Sequence, residues 1–219
     1  MGNDAGGKQR PPSLRERAYA AIKQRIITFR YQPGHYLNET SVSKELGIGR
    51  TPVHQALNRL MLEGMVEVIP RKGVIVKPVS LHEVLQIVEA RLGIEPYTVA
   101  LAAKRVQTHH LERMEEILRS ARDFMEDRDI ERLMELDREF HGTIAAAAGN
   151  AVLSEVLRNL HDRSLRLWFI SLNDENHLLG VQAEHQEILD AVRARDETLA
   201  AERMTAHIRA FGANISQRI

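Results

Sequence analysis

The 219-residue chain contains no cysteine. That excludes disulfides and every metal site built on thiolates, and it is neutral about compartment. Long apolar runs are missing too. No stretch reaches the length of a membrane span, and residues 1–12, MGNDAGGKQRPP, lack the apolar core of a signal peptide and read as a disordered leader. The expectation is a soluble cytoplasmic protein with no membrane partner. Wholesale disorder is excluded by a hydrophobic content of 43% against 27% charged residues, enough for a packed core in one large or two ordinary domains.

Net charge is absent only in the sum. Residues 1–80 hold 13 Lys+Arg and 6 Asp+Glu, whereas residues 81–219 hold 17 and 24. A basic first third joined to an acidic remainder points to a polyanion met by the first third alone.

The basic third reads as three helices and a hairpin. Leu14, Ala18, Ala21, Ile22, Ile26 and Phe29 recur at helical spacing, which predicts a helix from Leu14 to Arg30 ended by the turn Gln32-Pro33-Gly34. Asn38 is placed to cap a short helix holding Val42 and Leu46, closed by Gly47. In GIGRTPVHQAL, Pro52 suits the first turn of a further helix, whose amides have no intrahelical partner anyway. That helix runs from Arg50, capped by Gly49, to about Gly64. Val53, Ala56, Leu57, Leu60 and Met61 form its apolar stripe; Arg50, Thr51, His54, Gln55, Asn58 and Arg59 form a polar face with no acidic member. Beyond Gly64 the pattern becomes β-branched, with Val66, Val68 and Ile69, then Val74 to Val76 and Val79, around the tip Pro70-Arg71-Lys72-Gly73.

This order is that of a winged helix-turn-helix over residues 13–79. The N-terminal end of the second helix of such a motif enters the major groove, where Arg, Gln and Asn read base edges. Arg50, Thr51, His54, Gln55 and Arg59 are the candidate DNA-binding residues, with Arg71 and Lys72 of the wing against the backbone.

From residue 80 the chain reads as all helix, over about 82–106, 109–126, 129–148, 150–172, 176–194 and 197–217, with Asp129, Asn150 and Asp196 as N-caps. Glu95-Pro96 offers a break in the first stretch, so six or seven helices are expected in an antiparallel bundle. The fold class is thus mostly α.

Ten histidines stand in the chain. Asp137 and His141, four apart, share one helix face. His185 and His207 each lie eleven residues from Asp196, so a helical hairpin turning there sets them level, roughly 16 Å from the turn at 1.5 Å per residue. One carboxylate and three imidazoles suit Zn²⁺, Ni²⁺, Mn²⁺ or Fe²⁺, zinc being the expected occupant of purified protein. The same spacing is shared by ordinary hydrogen-bonded histidines. His109, His110, His161 and His177 lack comparable partners and read as surface residues.

At this point the residues resemble a known family. From Ile27 through YQPGHYLNETSVSKELGIGRTPVHQALNRLMLEGMVEVIPRKGVIV, the first domain resembles the GntR family of bacterial transcriptional regulators. Pro33-Gly34, Leu37, Glu39, Leu46-Gly47, Arg50-Thr51-Pro52-Val53, Ala56-Leu57, Leu60, Glu63-Gly64 and Gly73 stand where that pattern expects them. Residues 80–219 are similar to the FCD ligand-binding domain of the FadR subfamily, through Arg91 with Glu95, Asp137 with His141, Gly149-Asn150, His185 and His207. The resemblance implies a homodimer that binds a palindromic double-stranded DNA operator, most simply as a repressor, and is controlled by a small carboxylate effector. It assigns a divalent metal to Asp137, His141, His185 and His207. It makes Arg91 a partner for the effector carboxylate, because a guanidinium forks onto one well; a salt bridge to Glu95 is the alternative.

Two positions depart from the pattern. Gly49 replaces the usual Ser, at a cost of a few tenths of a kcal/mol of capping. His54 replaces the usual Arg, and a neutral imidazole lacks the bidentate fork, which moves readout toward Arg50 with support from Thr51 and Gln55. A metal-dependent enzyme acting on a small carboxylate is the rival reading, as is a regulator whose pocket holds no metal. No general base is evident beside the histidines, so the expectation is a protein that is not an enzyme.

Overall fold

The computed structural model describes residues 11–169 and 175–218. The leader expected over 1–12 falls mostly outside them. Helix α1 spans Leu14–Ile27, its first turn closed by the Ser13 side chain accepting from the Glu16 amide. Ala18, Ile22 and Ile26 on one face are buried. It stops short of the expected Arg30 because Phe29 turns into left-handed backbone, φ 55°, which a helix cannot continue through. Asn38 caps α2 (Glu39–Leu46) by accepting from the amides of Thr40 and Ser41, and Gly47 closes it at φ 63°. Helix α3 (Arg50–Leu62) starts from Gly49 with no side-chain cap. Its buried residues Val53, Ala56, Leu57 and Leu60 face α1 and the hairpin.

Strands β2 (Val66–Ile69) and β3 (Gly73–Val76) pair antiparallel with Val66 opposite Val76 and Ile69 opposite Gly73. A further strand, β1 (Tyr36–Leu37), joins β3 on its other edge, so the sheet order is β1-β3-β2. The sequence pattern misses β1, since two residues are too few to show a period of two. Together these elements form a winged helix-turn-helix.

The chain divides into two units after Pro78. Among the described residues the second unit consists of six helices: α4 (Leu81–Arg105), α5 (Thr108–Glu126), α6 (Ile130–Ala147), α7 (Ala151–Trp168), α8 (Glu175–Arg193) and α9 (Glu197–Ser216). Side chains of Asp129, Asn150 and Asp196 cap α6, α7 and α9. The expected continuation of α7 to residue 172 lies outside the described residues.

Helix α4 is the hub, packed on α9, α6, α7 and α8. It runs unbroken through Pro96, against the expected split. A proline within a helix costs about 3 kcal/mol and one hydrogen bond; here the flanking Arg91, Glu95, Thr98 and Val99 are all buried against neighbouring helices, and that packing holds the segment helical. Helices α4 and α9 approach so closely that a β-carbon on Gly212 would lie 2.9 Å from Val88 Cγ2.

Candidate metal centre and nucleic-acid face

Three helices bring the metal-competent side chains together inside the second unit. Asp137 and His141 come from α6, one turn apart; His185 comes from α8 and His207 from α9, on the two arms of the hairpin that turns at Asp196. His141, His185 and His207 are buried, with one ligand atom from each lying within 4.8 Å of the others. Asp137 stands at the edge of this trio: its Oδ1 is 3.6 Å from His185 Nε2 and 3.9 Å from His141 Nε2.

The second nitrogens fix the ring orientations. His207 Nδ1 lies 2.8 Å from Glu184 Oε2, and His141 Nδ1 lies 3.5 Å from Glu95 Oε2. Each carboxylate takes the Nδ1 side and leaves Nε2 for the centre. His185 Nε2 is buried and makes no hydrogen bond. Burial, then the neighbouring His207 and His141, holds His185 well below the ordinary imidazole pKa. His207 is lowered in the same way, by burial first and then by His141 and Arg91. Neutral imidazoles with inward lone pairs, one of them orphaned, fit a divalent cation in the way a hydrogen-bonded core would not.

Beside the trio lies an ion cluster centred on Glu95. Arg91, one turn away on α4, donates to Glu95 through Nε, and through its NH2 group at 3.4 Å. His161 Nε2 from α7 lies 3.2 Å from Glu95 Oε1, the oxygen that also accepts from Arg91 Nε. Burial pushes Glu95 up, but Arg91 and then His161 outweigh it and hold the carboxyl well below its usual range. Burial lowers His161 in turn, against the opposing charge of Glu95. Glu184 is pushed up to about 7 by burial, against the opposing influence of His177.

Arg91, Asp137, His141, His161, Trp168 and His207 are among the residues lining one cavity of about 20 Å³, room for a water or an ion. A second cavity of the same volume shares Asp137, Trp168 and Val181 with it, and its other walls are largely apolar, including Ile117, Met125 and Leu133.

Two expectations are corrected here. His161 is not a surface residue; it is 6% exposed, because the crossing of α7 over α4 drives it onto Glu95. His177 is half-buried and lines the metal-side cavity. Neither has a partner at helical spacing in its own segment, which is the signal that sequence reading relies on. His109 is exposed and His110 half-buried, their rings in contact. Of the two alternatives for Arg91, the bond to Glu95 is formed, and Arg91 also lines the cavity.

On the first unit, Arg50, Thr51, His54 and Gln55 are exposed along α3, and Arg71 and Lys72 are exposed at the hairpin tip, where Arg71 takes φ 65°. Arg59 is not brought together with the others. Its guanidinium lies 3.6 Å from the Tyr19 ring centroid and bonds Glu16 and Glu63, tying α3 to α1. His54 is bonded to Glu39 and meets Asn58. No helix of the described residues is long and apolar enough to cross a membrane.

Residues 14–76 match the family described as bacterial regulatory proteins, gntR family, and residues 86–210 match the FCD domain. The chain is similar to the HTH-type transcriptional repressor GlaR of Escherichia coli K12, 29% identical over 87% of this chain and 90% of that protein. It is similar also to the HTH-type transcriptional repressor RspR of the same strain, 23% identical over 93% and 90%. The solved structure of E. coli McbR/YncC superposes with a TM-score of 0.85 at 22% identity, covering 94% of this chain and 99% of that one.

Proposed function

From a chain that belongs to the gntR family of bacterial regulatory proteins and carries an FCD domain, we propose a repressor that binds a palindromic operator as a homodimer and is controlled by a small carboxylate at a metal-containing pocket. That the chain is a transcriptional regulator of this type follows from its family. Repression is supported by the names of the relatives GlaR and RspR. The operator is met by Arg50, Thr51 and Gln55 on α3, with His54 on the same exposed face, and by Arg71 and Lys72 on the wing.

The observation that carries the pocket is the convergence of three buried imidazoles beside Asp137. His141, His185, His207 and Asp137 would hold a divalent ion, which supplies a Lewis-acidic anchor for a carboxylate oxygen. Arg91 meets the same carboxylate with the N–H groups that Glu95 leaves over. Leu165, Trp168, Val181 and Phe211 form the apolar part of the cavity wall. Binding that prefers one arrangement of the dimer shifts the population of operator-competent molecules.

The test is elemental mass spectrometry on tag-free wild type and His185→Ala. About one divalent ion per chain, lost in the variant, supports the four-residue site. Wild-type protein that neither carries metal nor takes it up on titration refutes it, and turns the search for an acid's anchor to Arg91.

A further inference from the structure

We propose that Glu39, His54 and Asn58 form a hydrogen-bonded relay that presents the Asn58 amide to the major groove as a reader of adenine. The relay rests on the assignment of α3 as the operator-reading helix, and it adds to that assignment a specificity-determining residue, Asn58, and a positioning residue, Glu39.

The geometry fixes the protons. Glu39 Oε1, from the first turn of α2, lies 2.7 Å from His54 Nδ1. A carboxylate oxygen only accepts, so Nδ1 carries the hydrogen. In the neutral ring Nε2 then holds a lone pair, and it lies 3.1 Å from Asn58 Nδ2, which donates to it. His54 thus has both nitrogens occupied within the protein. It is a spacer between an acid and an amide, with no edge left to fork onto a base.

Asn58 keeps what the groove can use. Donation to His54 through the N–H trans to Oδ1 leaves the other N–H beside the carbonyl. That adjacent donor and acceptor match adenine, whose N7 accepts and whose N6 donates. Guanine presents two acceptors, N7 and O6, and would set O6 against Oδ1. Arg50, His54 and Asn58 recur every four residues, so they share one face of α3, and all three are exposed. Glu39 would otherwise be an unneutralised carboxylate facing a polyanion. Its bond to His54 gives it a use there, and holds the amide in one orientation before DNA arrives.

The experiment selects full-length protein on a randomised double-stranded DNA library and sequences the bound fraction, for wild type, Asn58→Ala, Glu39→Ala and Glu39→Gln. Wild type should favour adenine at one position of each half-site, by roughly 5- to 150-fold, the range expected of one bidentate contact. Asn58→Ala should erase that preference and leave the rest of the motif. Glu39→Ala should weaken it, and Glu39→Gln should keep it, because the glutamine carbonyl accepts the same Nδ1 hydrogen. All three substitutions are outside the buried core, and circular dichroism with salt-dependent binding to random DNA verifies that each variant is folded and competent. A motif shared unchanged by wild type and all variants overturns the relay alone, as does an equal effect of Glu39→Ala and Glu39→Gln. A wild type that enriches no sequence overturns the operator-reading assignment beneath it.

Discussion

The Glu95 carboxylate closes on the Arg91 guanidinium one helical turn away, with both side chains almost fully buried. This pair neutralises the cation nearest the metal-competent trio. The charge of Arg91 is therefore already compensated within the fold. Removing Glu95 also leaves a buried guanidinium with no counter-charge. Glu95→Ala should destabilise the second unit by about 3–5 kcal/mol, the usual cost of breaking a buried pair. The double variant with Arg91→Met should be less destabilised than Glu95→Ala alone, because the orphaned charge goes with it. Thermal unfolding followed at Trp168 measures both; equal losses would mean that Glu95 acts through His141 and His161 instead.

Glu184 should be a determinant of metal affinity without being a ligand. Its bond to His207 Nδ1 keeps that ring turned with Nε2 inward. Glu184→Ala should weaken zinc binding by about 10- to 100-fold in chelator competition, the range seen for such supporting partners. An unchanged affinity would show that the packing of α8 on α9 suffices to orient the ring.

Gly212 is needed for its lack of a side chain. Gly212→Ala would set a β-carbon 2.9 Å from Val88 Cγ2, the tip of a stiff, β-branched residue. Overpacking of this kind costs about 1–3 kcal/mol, more than the roughly 1 kcal/mol of helix propensity gained. The melting temperature should fall by a few degrees and recover when Val88→Ala is added. A variant at least as stable as wild type would show that α9 shifts freely on α4.

In the first unit, acid should loosen the junction of α1 and α3. Glu63 accepts from Tyr19 Oη, Lys23 Nζ and Arg59 Nε. Burial pushes its carboxyl up, but the bond from Tyr19 and the charge of Lys23 outweigh this and lower it below 4.5. Ionised Glu63 therefore stabilises the fold fully above its unfolded pKa, and this contribution disappears as pH falls through the lower folded value. Tyr19→Phe should cost about 1 kcal/mol at neutral pH, and the difference from wild type should shrink near pH 3.5. Urea unfolding by circular dichroism at the two pH values checks it; a pH-independent difference would assign the loss to packing alone.

The sequence by itself determined the helices and the hairpin, though not the two-residue strand β1. Asn38, Asn150 and Asp196 cap helices where expected because capping is local: a side chain meets amides two or three residues on. The pairing of His185 with His207 was legible for a related reason, since a helical hairpin makes equal distances from Asp196 into equal heights. Only the tertiary structure decided what crosses between helices. His161 reaches Glu95 from sixty-six residues away, and Pro96 stays inside a helix because its neighbours are packed on several sides. Arg59 turns to Tyr19 and Glu16 rather than lying with Arg50. Period and composition carry the face of a helix but not its rotation or height against a neighbour, and those contacts depend on both.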